Sequence, residues 1–354
     1  MPSLILSLLL IPFAPLWFYG NIVRSDISEN TAPCDQAAGI CRDVPRVEGA
    51  RDFKGAEETD GKNKNFQKAS LFPVDTAAAS GFVPVKKENA SELKIWAGGA
   101  VAIDVDSGTI LYYDEGRKRT QIASLTKMMT AILVMEKMKD LEEEVAVTKE
   151  ALLQPGTVVG CPTSTLCSSN RMYTGEKVKA ADLLKAMLMN SANDAATALG
   201  IQIAGSPDNF VEMMNVKAKE LGLKDTHFCT PSGLEIDGQE DRCYSSAYDI
   251  ARIAAYSLQY EKIWEIMRIP EGRFYSADGK YMHELKSTDL IMDSTPNYLG
   301  VKTGFTPLAG KSLLAGATDP AGKRRIIAVV LNDDKRWEDM KALTDWIFAS
   351  YKWQ

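Results

Sequence analysis

The sequence predicts an α/β (α+β) domain in which an antiparallel β-sheet lies between layers of helices. Strand-like runs occur near the start of the domain, at 100–105 and 109–113, and again near its end, at 312–317 and 326–331. The region between these runs instead has apolar residues at helical spacing. The late strands can therefore join the early hairpin in one sheet, and we expect helices on both of its faces.

The composition is that of a folded globular chain, and it argues against several classes of function. The chain has 354 residues, of which 45% are hydrophobic and 25% charged, enough for one large domain or two modest ones. Its net charge of −6 argues against a protein that binds nucleic acid by neutralising phosphates. The cysteines lack the Cys-x-x-Cys spacing of zinc sites, and only two histidines accompany them. We therefore predict no metal site and no cofactor.

The N-terminal 92 residues are predicted to lie outside the folded domain. Residues 1–23 contain an apolar run, Leu4 to Phe18, whose length suits a signal peptide or an N-terminal membrane anchor. No Lys or Arg precedes this run and no clear small-x-small cleavage site follows it, which favours a retained anchor. Residues 24–92 are rich in charged and small residues without a sustained period, which predicts a flexible linker. We expect a folded domain at 93–354 that is periplasmic or at the cell surface, either anchored to a membrane through the N-terminal segment or secreted.

Within this domain the pattern predicts secondary-structure elements in a definite order. Asp106-Ser107-Gly108 supplies turn residues between two strand-like runs, which predicts a β-hairpin at 100–113. Helices are predicted at 124–138, 178–189, 195–204, 208–221, 246–267 and 337–351. Further strands are predicted at 145–147, around residue 302, at 312–317 and at 326–331.

The helix predicted from Ser124 begins with a serine and a lysine three residues apart. Residues at this spacing share one face of a helix, so we expect the Ser124 hydroxyl beside the Lys127 amine. A serine hydroxyl needs a proton acceptor to act as a nucleophile, and a lysine kept neutral by burial or a nearby cation can accept that proton. Backbone N–H groups at the helix start can stabilise an oxyanion. The same spacing also arises by chance, as at Ser91 and Lys94, so this pair alone is not specific.

Two further short motifs carry groups suited to the same chemistry. Ser191 and Asn193 lie at a predicted junction of two helices, where side chains can point into a cleft, although either residue can also simply cap the second helix. Lys302, Thr303 and Gly304 lie on a predicted strand. They offer a positive charge, a hydroxyl and room for the close approach of a ligand backbone. An ordinary edge-strand lysine is the alternative interpretation.

In this order, Ser-x-x-Lys, Ser-x-Asn and Lys-Thr-Gly form the motif set of β-lactamases and penicillin-binding proteins. The surrounding sequence closely resembles the low-molecular-mass penicillin-binding proteins that are serine-type D-alanyl-D-alanine carboxypeptidases, over about 93–353. The passages that carry this resemblance are 122–130, 193–196, 217–223 and 302–306.

The resemblance implies a β-lactamase/penicillin-binding-protein-like fold and a defined activity. The activity is removal of the terminal D-Ala from peptidoglycan stem peptides, with no cofactor and with β-lactam antibiotics as covalent inhibitors. By motif position, Ser124 would be acylated with Lys127 as its base. Ser191 would pass a proton to the leaving amine, and Asn193 would hold the substrate amide and Lys127.

The resemblance also implies a set of substrate-binding residues. They are Lys302, Thr303, Gly304, Phe305 and Arg336. Lys302 and Thr303 would meet the substrate carboxylate, and the Phe305 N–H would join that of the acylated serine in an oxyanion hole. Arg336, just before the last predicted helix, lies where the family often has a carboxylate-binding arginine. A free carboxylate independently calls for such cations, and Lys302 would also help to keep the catalytic lysine neutral.

Three other functions stay open from the sequence. A class A β-lactamase shares the fold and the acylation step, but its hydrolysis uses a glutamate in a Glu-x-x-Leu-Asn loop, and no such string follows Asn193. A D,D-endopeptidase that cuts peptidoglycan cross-links uses the same residues. An inactive cell-wall binding protein would lack a catalytic residue, and none is missing here. Any membrane attachment is expected through the N-terminal segment, since no C-terminal β-rich domain or amphipathic anchor follows.

Six cysteines form three close pairs in the sequence, Cys34/Cys41, Cys161/Cys167 and Cys229/Cys243. An even number of cysteines after an apolar N-terminus predicts disulfides formed in an oxidising compartment. Sequence alone allows several connectivities, and pairing of nearest neighbours is our prediction. Reduced, buried cysteines are the alternative. We expect that neither the Cys161/Cys167 loop nor the Cys229/Cys243 loop touches the motif residues.

Overall fold

The computed structural model describes residues 82–160, 170–291, 295 and 297–354. The strands of this part of the chain are β1 (Pro84–Lys86), β2 (Gly99–Asp104), β3 (Ile110–Asp114), β4 (Glu144–Ala146), β5 (Lys177–Lys179), β6 (Glu271–Tyr275), β7 (Met282–Lys286), β8 (Tyr298–Thr306), β9 (Gly310–Thr318), β10 (Arg325–Leu331) and β11 (Tyr351–Trp353). The α-helices are α1 (Lys127–Lys137), α2 (Lys149–Leu152), α3 (Ala180–Met189), α4 (Asn193–Ala204), α5 (Pro207–Glu220), α6 (Ala247–Ser257), α7 (Glu261–Met267) and α8 (Arg336–Ser350). Single 3₁₀ turns occur at Ala123–Thr126 and Glu240–Arg242.

The main sheet confirms the predicted α/β (α+β) fold. It has five strands in the order β3-β2-β10-β9-β8, and each neighbouring pair is antiparallel. Successive side chains of a strand point to opposite faces, so Val101 and Ile103 of β2 join one hydrophobic core and Ala100 and Ala102 join another. The first core includes apolar residues of α1, α3, α4 and α6, and the second includes those of α8. The sheet is therefore covered by helices on both faces.

Strand β1 lies inside the range 24–92 that the sequence predicts as a linker. It pairs antiparallel with β11, with Pro84 opposite Trp353 and Lys86 opposite Tyr351. The folded domain therefore begins before residue 93. A three-residue strand with two exposed side chains is too short to show a periodic pattern. Tyr351, predicted as the last residue of a helix, belongs to β11 instead.

Other element boundaries differ from the prediction for local reasons. The helix predicted from Ser124 starts as the 3₁₀ turn Ala123–Thr126, and α1 follows from Lys127. The helix predicted at 178–189 begins at Ala180, because β5 pairs with β4. The run predicted as one helix at 246–267 is divided into α6 and α7. The hairpin of β6 and β7 was not predicted, because its inward-facing positions include Gly272 and His283 and its exposed positions include the aromatic Tyr275, so apolar and polar residues do not alternate clearly.

Of the three predicted disulfides, the structure confirms one. Cys229 and Cys243 form the predicted bond, with their Cα atoms 5.5 Å apart. Cys161 and Cys167 both lie outside the described residues, so the structure does not confirm a Cys161–Cys167 disulfide, and that pairing stays a prediction. The same holds for the most N-terminal pair, Cys34 and Cys41.

The predicted leader at 1–23 and most of the predicted linker also lie outside the described residues. No helix in the part of the chain that the structure describes is long and apolar enough to cross a membrane. The choice between a signal peptide and a retained anchor therefore stays a prediction from the sequence.

Candidate active site

The 3₁₀ turn Ala123–Thr126, here called the Ser124 turn, places a serine hydroxyl beside a buried lysine amine. Lys127 is the first residue of α1, and it is 0% exposed. Its Nζ lies 2.7 Å from Ser124 Oγ. Ala123 has a φ of 47°, in the left-handed region that is unfavourable for a residue with a side chain. The surrounding structure therefore holds the turn in a shape that it would not adopt alone.

The Lys127 amine has two further partners, and both of them can only accept hydrogen bonds. Lys127 Nζ donates to Asn193 Oδ1 and to the carbonyl oxygen of Ser232, each at 2.7 Å. A neutral amine has two N–H groups and one lone pair. When both N–H groups serve these obligate acceptors, the lone pair is left for the Ser124 hydroxyl, which can donate. The arrangement thus orients a neutral Lys127 as a base toward Ser124.

Electrostatics favour that neutral form. The pKa of Lys127 is lowered well below its usual value, mainly because burial removes the ammonium group from water. The positive charge of Lys302 lowers it further, while the Asp194 carboxylate opposes the shift. A lysine that is neutral near physiological pH can accept a proton, which an ordinary surface lysine cannot.

Ser191 and Asn193 lie where α3 ends and α4 begins. Ser191 has a φ of 57°, and its Oγ accepts a hydrogen bond from Lys302 Nζ at 2.9 Å. Asn193 Nδ2 donates to the Pro155 carbonyl at 2.7 Å, which fixes the orientation of its amide. The N-cap of α4 is Ala192, which makes no side-chain capping bond. The alternative that Ser191 or Asn193 merely caps α4 is therefore wrong.

Lys302, Thr303 and Gly304 lie on β8, the edge strand that passes the Ser124 turn. Lys302 is 1% exposed, and its Nζ also donates to the Thr303 carbonyl at 3.0 Å. The hydroxyls of Thr303 and Thr288 lie 2.8 Å apart. A Cβ atom at Gly304 would lie 2.8 Å from the carbonyl oxygen of Ile122. Only glycine lets the strand approach the turn this closely.

Phe305 on β8 and Arg336 at the start of α8 complete the predicted set. The Phe305 side chain is 60% exposed. Arg336 begins α8, and its Nη1 donates to the carbonyls of Gly304 at 3.0 Å and Ser312 at 3.2 Å, so part of its guanidinium is engaged by the backbone of β8 and β9. Burial first, and the charge of Arg336 second, lower the pKa of Lys302 to about 7. Near neutral pH, Lys302 is therefore partly charged.

The loop Cys229–Cys243, here called the disulfide loop, contributes to the site, so the expectation that it does not touch the motifs is wrong. Its Ser232 carbonyl is one of the two acceptors of the Lys127 amine. Gly233 has a φ of 85°, and a Cβ atom there would clash with the Ala123 carbonyl oxygen. The Pro-Ser-Gly run predicts a turn, but the contact is made by a backbone atom. No residue pattern indicates such a contact.

The corresponding expectation for the other cysteine loop stays a prediction. Cys161, Cys167 and the residues between them lie outside the described residues. The segment that leads into this loop does support the site, however, because Val159 lies only two residues before Cys161 and its N–H contacts Asp194.

This supporting segment, 155–160, holds the Ser191–Asn193 junction. Thr157 Oγ1 donates to the Ser191 carbonyl at 2.8 Å, and the backbone N–H of Val159 donates to both carboxylate oxygens of Asp194 at 3.1 Å. Burial raises the pKa of Asp194 to about 6, although the hydrogen bonds from the backbone N–H groups of Val159 and Ala195 oppose the shift. Among the described residues, no group of three or more His, Cys, Asp or Glu side chains could hold a metal ion.

Comparison with known proteins agrees with this geometry. The family model of D-alanyl-D-alanine carboxypeptidases, a peptidase family, matches residues 86–335. The chain belongs to this family. The resemblance drawn from the three motifs is thereby confirmed, and the chain is a hydrolase of the serine peptidase class.

Curated members of the family are similar to this chain over most of its length. D-alanyl-D-alanine carboxypeptidase DacF of Bacillus subtilis is 34% identical over 285 residues, which is 78% of this chain and 68% of that protein. DacD of Escherichia coli is 34% identical over 262 residues, which is 72% of this chain and 63% of that protein. The chain thus spans about two thirds of the length of these relatives.

Solved structures of family members have the same fold. Penicillin-binding protein D2 from Listeria monocytogenes, in its ampicillin-bound form, is 29% identical with a TM-score of 0.61, over 73% of this chain and 99% of that chain. A mutant of the Streptomyces K15 DD-transpeptidase is 25% identical with a TM-score of 0.64, over 73% of this chain and 100% of that chain. The predicted penicillin-binding-protein-like fold is confirmed.

Proposed function

We propose that this protein is a serine D-alanyl-D-alanine carboxypeptidase that removes the terminal D-Ala of peptidoglycan stem peptides through an acyl-enzyme on Ser124. The observation that carries the proposal is the surroundings of the Lys127 amine, whose two obligate acceptors leave its lone pair for Ser124. Ser124 Oγ attacks the carbonyl carbon of the penultimate D-Ala while Lys127 Nζ accepts the hydroxyl proton. The products of this half-reaction are the ester on Ser124 and free D-Ala.

Ser191 is the proposed donor of the proton that the leaving amine needs. Lys302, when charged, can only donate, and its hydrogen bond goes to a lone pair of Ser191 Oγ. The Ser191 hydroxyl hydrogen therefore points away from Lys302 and is free to be donated to the leaving amine. As the C–N bond breaks, this hydrogen passes to the nitrogen of D-Ala, and the proton held by Lys127 replaces it. The half-reaction then neither gains nor loses a proton.

The substrate carboxylate and the developing oxyanion have separate proposed binding groups. Lys302 and the Thr303 hydroxyl bind the carboxylate, and Arg336 adds positive charge beside them. The backbone N–H groups of Ser124 and Phe305 form the oxyanion hole. The close approach of β8 to the Ser124 turn, which Gly304 permits, supports this assignment because it brings the two backbones together.

We also propose that β-lactam antibiotics acylate Ser124 and are released slowly. A β-lactam keeps its leaving amine tethered to the acyl-enzyme, so fast hydrolysis needs a second base on the other side. In the part of the chain that the structure describes, the Ser124 hydroxyl is hydrogen-bonded to Lys127 and to no carboxylate. The Listeria relative with ampicillin bound is consistent with a stable complex. This favours a carboxypeptidase over a β-lactamase.

The proposed substrate sets the proposed location of the protein. Peptidoglycan stem peptides lie outside the cytoplasmic membrane, so the domain would act in the periplasm or at the cell surface. Residues 1–23 would serve as signal peptide or anchor, and the linker would run from residue 24 to the start of β1. The Cys229–Cys243 disulfide supports an oxidising compartment.

The proposal is tested by two measurements on one preparation. A fluorescent penicillin should label the protein covalently for minutes or longer, and a peptide ending in D-Ala-D-Ala should release D-Ala, detected by mass spectrometry. Ser124→Ala should abolish both reactions in a folded protein. Ser91→Ala, which removes the serine of the chance Ser-x-x-Lys spacing, is the matched control and should react like the wild type. Equal labelling of Ser124→Ala would refute the nucleophile, and fast penicillin turnover without D-Ala release would indicate a β-lactamase.

A D,D-endopeptidase is the second candidate, because one relative bears that name. The D-alanyl-D-alanine endopeptidase of Pseudomonas aeruginosa is 30% identical over 242 residues, which is 68% of this chain and 73% of that protein. Both reactions use the same acyl-enzyme and differ in the amine that leaves. Isolated cross-linked muropeptides separate them, since an endopeptidase converts dimers to monomers without releasing free D-Ala from pentapeptides.

A further inference from the structure

The disulfide loop is attached to helix α1 through two of its carbonyl groups. The Ser232 carbonyl accepts from Lys127 Nζ at 2.7 Å, and the Pro231 carbonyl accepts from Thr130 Oγ1 at 2.6 Å. Both carbonyls lie within three residues of Cys229. The two donors are three residues apart and so lie on one face of the helix. The loop therefore contacts the same face of α1 that carries the catalytic lysine.

The disulfide loop also packs directly under the Ser124 turn. A Cβ atom at Gly233 would clash with the Ala123 carbonyl oxygen and would lie 2.6 Å from Thr126 Oγ1. Both cysteines of the disulfide line a small cavity together with Ala123 and Thr126. No layer of other residues separates this part of the loop from the turn, so a shift of the loop changes the support of the nucleophile.

Several contacts fix the disulfide loop, and the disulfide is the covalent one. Next to it, the backbone groups of His227 and Tyr244 exchange two hydrogen bonds, at 2.8 and 3.0 Å. Farther out, Gln121 Nε2 donates to the Glu240 carbonyl at 2.9 Å. The Thr306 hydroxyl donates to the carboxylate of Glu235, which also belongs to the loop. The loop tip is exposed to solvent. The outer hydrogen bonds can be replaced by water and are individually weak, so the disulfide is the cross-link that holds the start of the loop to its end.

We infer that the Cys229–Cys243 disulfide is a positioning element of the catalytic machinery, which holds the Ser232 carbonyl against Lys127 and so directs the lone pair of the amine toward Ser124. The inference rests on the proposed function. If the carbonyl moves away, one N–H of Lys127 loses its acceptor and the amine can turn to donate to Ser124 Oγ. In that orientation it cannot accept the hydroxyl proton.

The inference makes acylation sensitive to reduction. A dithiol reductant transfers two electrons and two protons to the disulfide, which gives two cysteine thiols and the oxidised, cyclic form of the reductant. The loop is then held by its hydrogen bonds and by the packing of its buried residues Pro231 and Ser232. The carboxylate-binding groups lie on β8 and, in the case of Arg336, at the start of α8, and none of them belongs to the disulfide loop. Reduction should therefore slow the acylation step and leave the initial binding of the inhibitor nearly unchanged.

The test measures Ser124 acylation by penicillin in a stopped-flow instrument over a range of penicillin concentrations. The data separate the first-order acylation constant from the concentration that half-saturates it. In the double variant Cys229→Ser/Cys243→Ser we expect the acylation constant to fall about 10- to 100-fold, the effect of a misplacement of about 1 Å. The half-saturating concentration should change by less than about a factor of two. An unchanged acylation constant in the folded double variant overturns the inference.

Two further variants separate positioning from a loss of global stability. Val178→Ala removes two methyl groups from a fully buried position on β5, so it should lower Tm while leaving the acylation constant of the folded protein unchanged. Gly233→Ala keeps the disulfide but pushes the loop away from the Ala123 carbonyl, so it should reproduce the slow acylation. Normal acylation by Gly233→Ala would refute the inference even if the double variant does not fold.

Two controls complete the experiment. Adding the dithiol to the double variant should change nothing further, because the Cys229–Cys243 disulfide is already absent from it. A further loss there would assign the redox effect to another cysteine pair and contradict the inference. Labelling should still reach completion in every folded variant that retains Ser124. If the oxidised wild type is never labelled, the proposed function itself fails, which is a different outcome from slow labelling.

Discussion

A buried histidine–glutamate pair leads to a prediction about how folding stability depends on pH. His283 of β7 and Glu176, just before β5, have side chains that are 1% and 0% exposed. His283 Nε2 lies 2.7 Å from Glu176 Oε1, and Nδ1 lies 2.7 Å from the Asn170 carbonyl oxygen. A neutral imidazole has one N–H, which cannot serve two acceptors. The pair therefore holds one additional proton, either on the ring or on the carboxylate.

The sign of the pH dependence follows from the pKa of His283. Burial lowers this pKa, but the hydrogen bonds with Glu176 and with the Asn170 carbonyl outweigh burial, and the net shift is upward. The Asp194 carboxylate adds to the upward shift. A raised folded pKa contributes stability that is fully present below about pH 6.5 and is lost as the pH rises through the folded pKa. Each unit of the shift corresponds to about 1.4 kcal/mol of unfolding free energy.

Two substitutions of Glu176 should differ sharply. In Glu176→Gln, the side-chain amide can donate to Nε2 of a neutral His283, and its oxygen can still accept from the Tyr173 N–H, a bond of 3.0 Å in the wild type. We expect this variant to lose only about 1–2 kcal/mol at pH 6. In Glu176→Ala the histidine loses its buried partner, and we expect a loss of about 3–5 kcal/mol.

The measurement is urea-induced unfolding at several pH values between 6 and 9, with the disulfides intact. As the pH rises through the folded pKa of His283, the wild type should lose unfolding free energy relative to Glu176→Gln, because the pair in the variant needs no additional proton. Lys127 and Lys302 titrate in both proteins and so contribute equally to the two slopes. Coincident slopes of the wild type and Glu176→Gln would refute the proton count. The pair is connected to the active site through Asn170, whose carbonyl oxygen contacts His283. A Cβ atom at Gly160 would lie 2.7 Å from that oxygen, and Gly160 ends the supporting segment 155–160 that holds Asn193.

Three further predictions concern catalysis and the core. The kcat/KM for D-Ala release should rise with pH as Lys127 loses its proton, and it should fall at higher pH as Lys302, with a pKa of about 7, loses its charge. Lys302→Arg should remove this fall at alkaline pH. A fall that persists in the variant would contradict the assignment to Lys302. Thr288 orients the Thr303 hydroxyl, so Thr288→Val should lower kcat/KM about 10-fold for a peptide with a free C-terminal carboxylate but not for the corresponding peptide amide. Thr288→Ser should retain activity. Equal losses of kcat/KM on both peptides would refute this role of Thr288. Phe210 is fully buried, so Phe210→Ala should lower the unfolding free energy measured in urea by about 3–5 kcal/mol without changing the acylation constant. A loss below about 1 kcal/mol would show that the core around position 210 repacks.

The sequence predicted those parts of the site that consist of side chains in short, ordered motifs. Ser124 and Lys127 are close in the chain, so a single helical turn determines their contact, and the 3₁₀ geometry of that turn did not alter it. The contact between Asn193 and Lys127 joins residues that are distant in the chain, and its prediction needed the family resemblance. The Ser232 carbonyl was missed because every residue has a carbonyl. Backbone partners leave no signature in residue type.

The fold was predicted where the apolar pattern is long and was missed where elements are short or exposed. The buried strands β2 and β10 are continuous apolar runs that hold the centre of the sheet. Strands β1 and β5 have three residues each, and pairing with distant partners rather than local preference determines them. Pairing with β4 therefore makes Lys177–Lys179 a strand, although the residues that follow it form helix α3.

The burial of two lysines sets catalysis against thermodynamic stability in this protein. An unfolded chain carries Lys127 and Lys302 as fully hydrated ammonium ions at neutral pH, whereas the folded chain holds both with lowered pKa values. The unfolding free energy falls by about 1.4 kcal/mol for each pH unit between the unfolded pKa and either the folded pKa or the ambient pH, whichever of these two is higher. Replacing either lysine with methionine should therefore give an inactive protein that melts at a higher temperature than the active enzyme. Selection for stability alone would discard the chemistry of this site, and only continued selection for catalysis retains it.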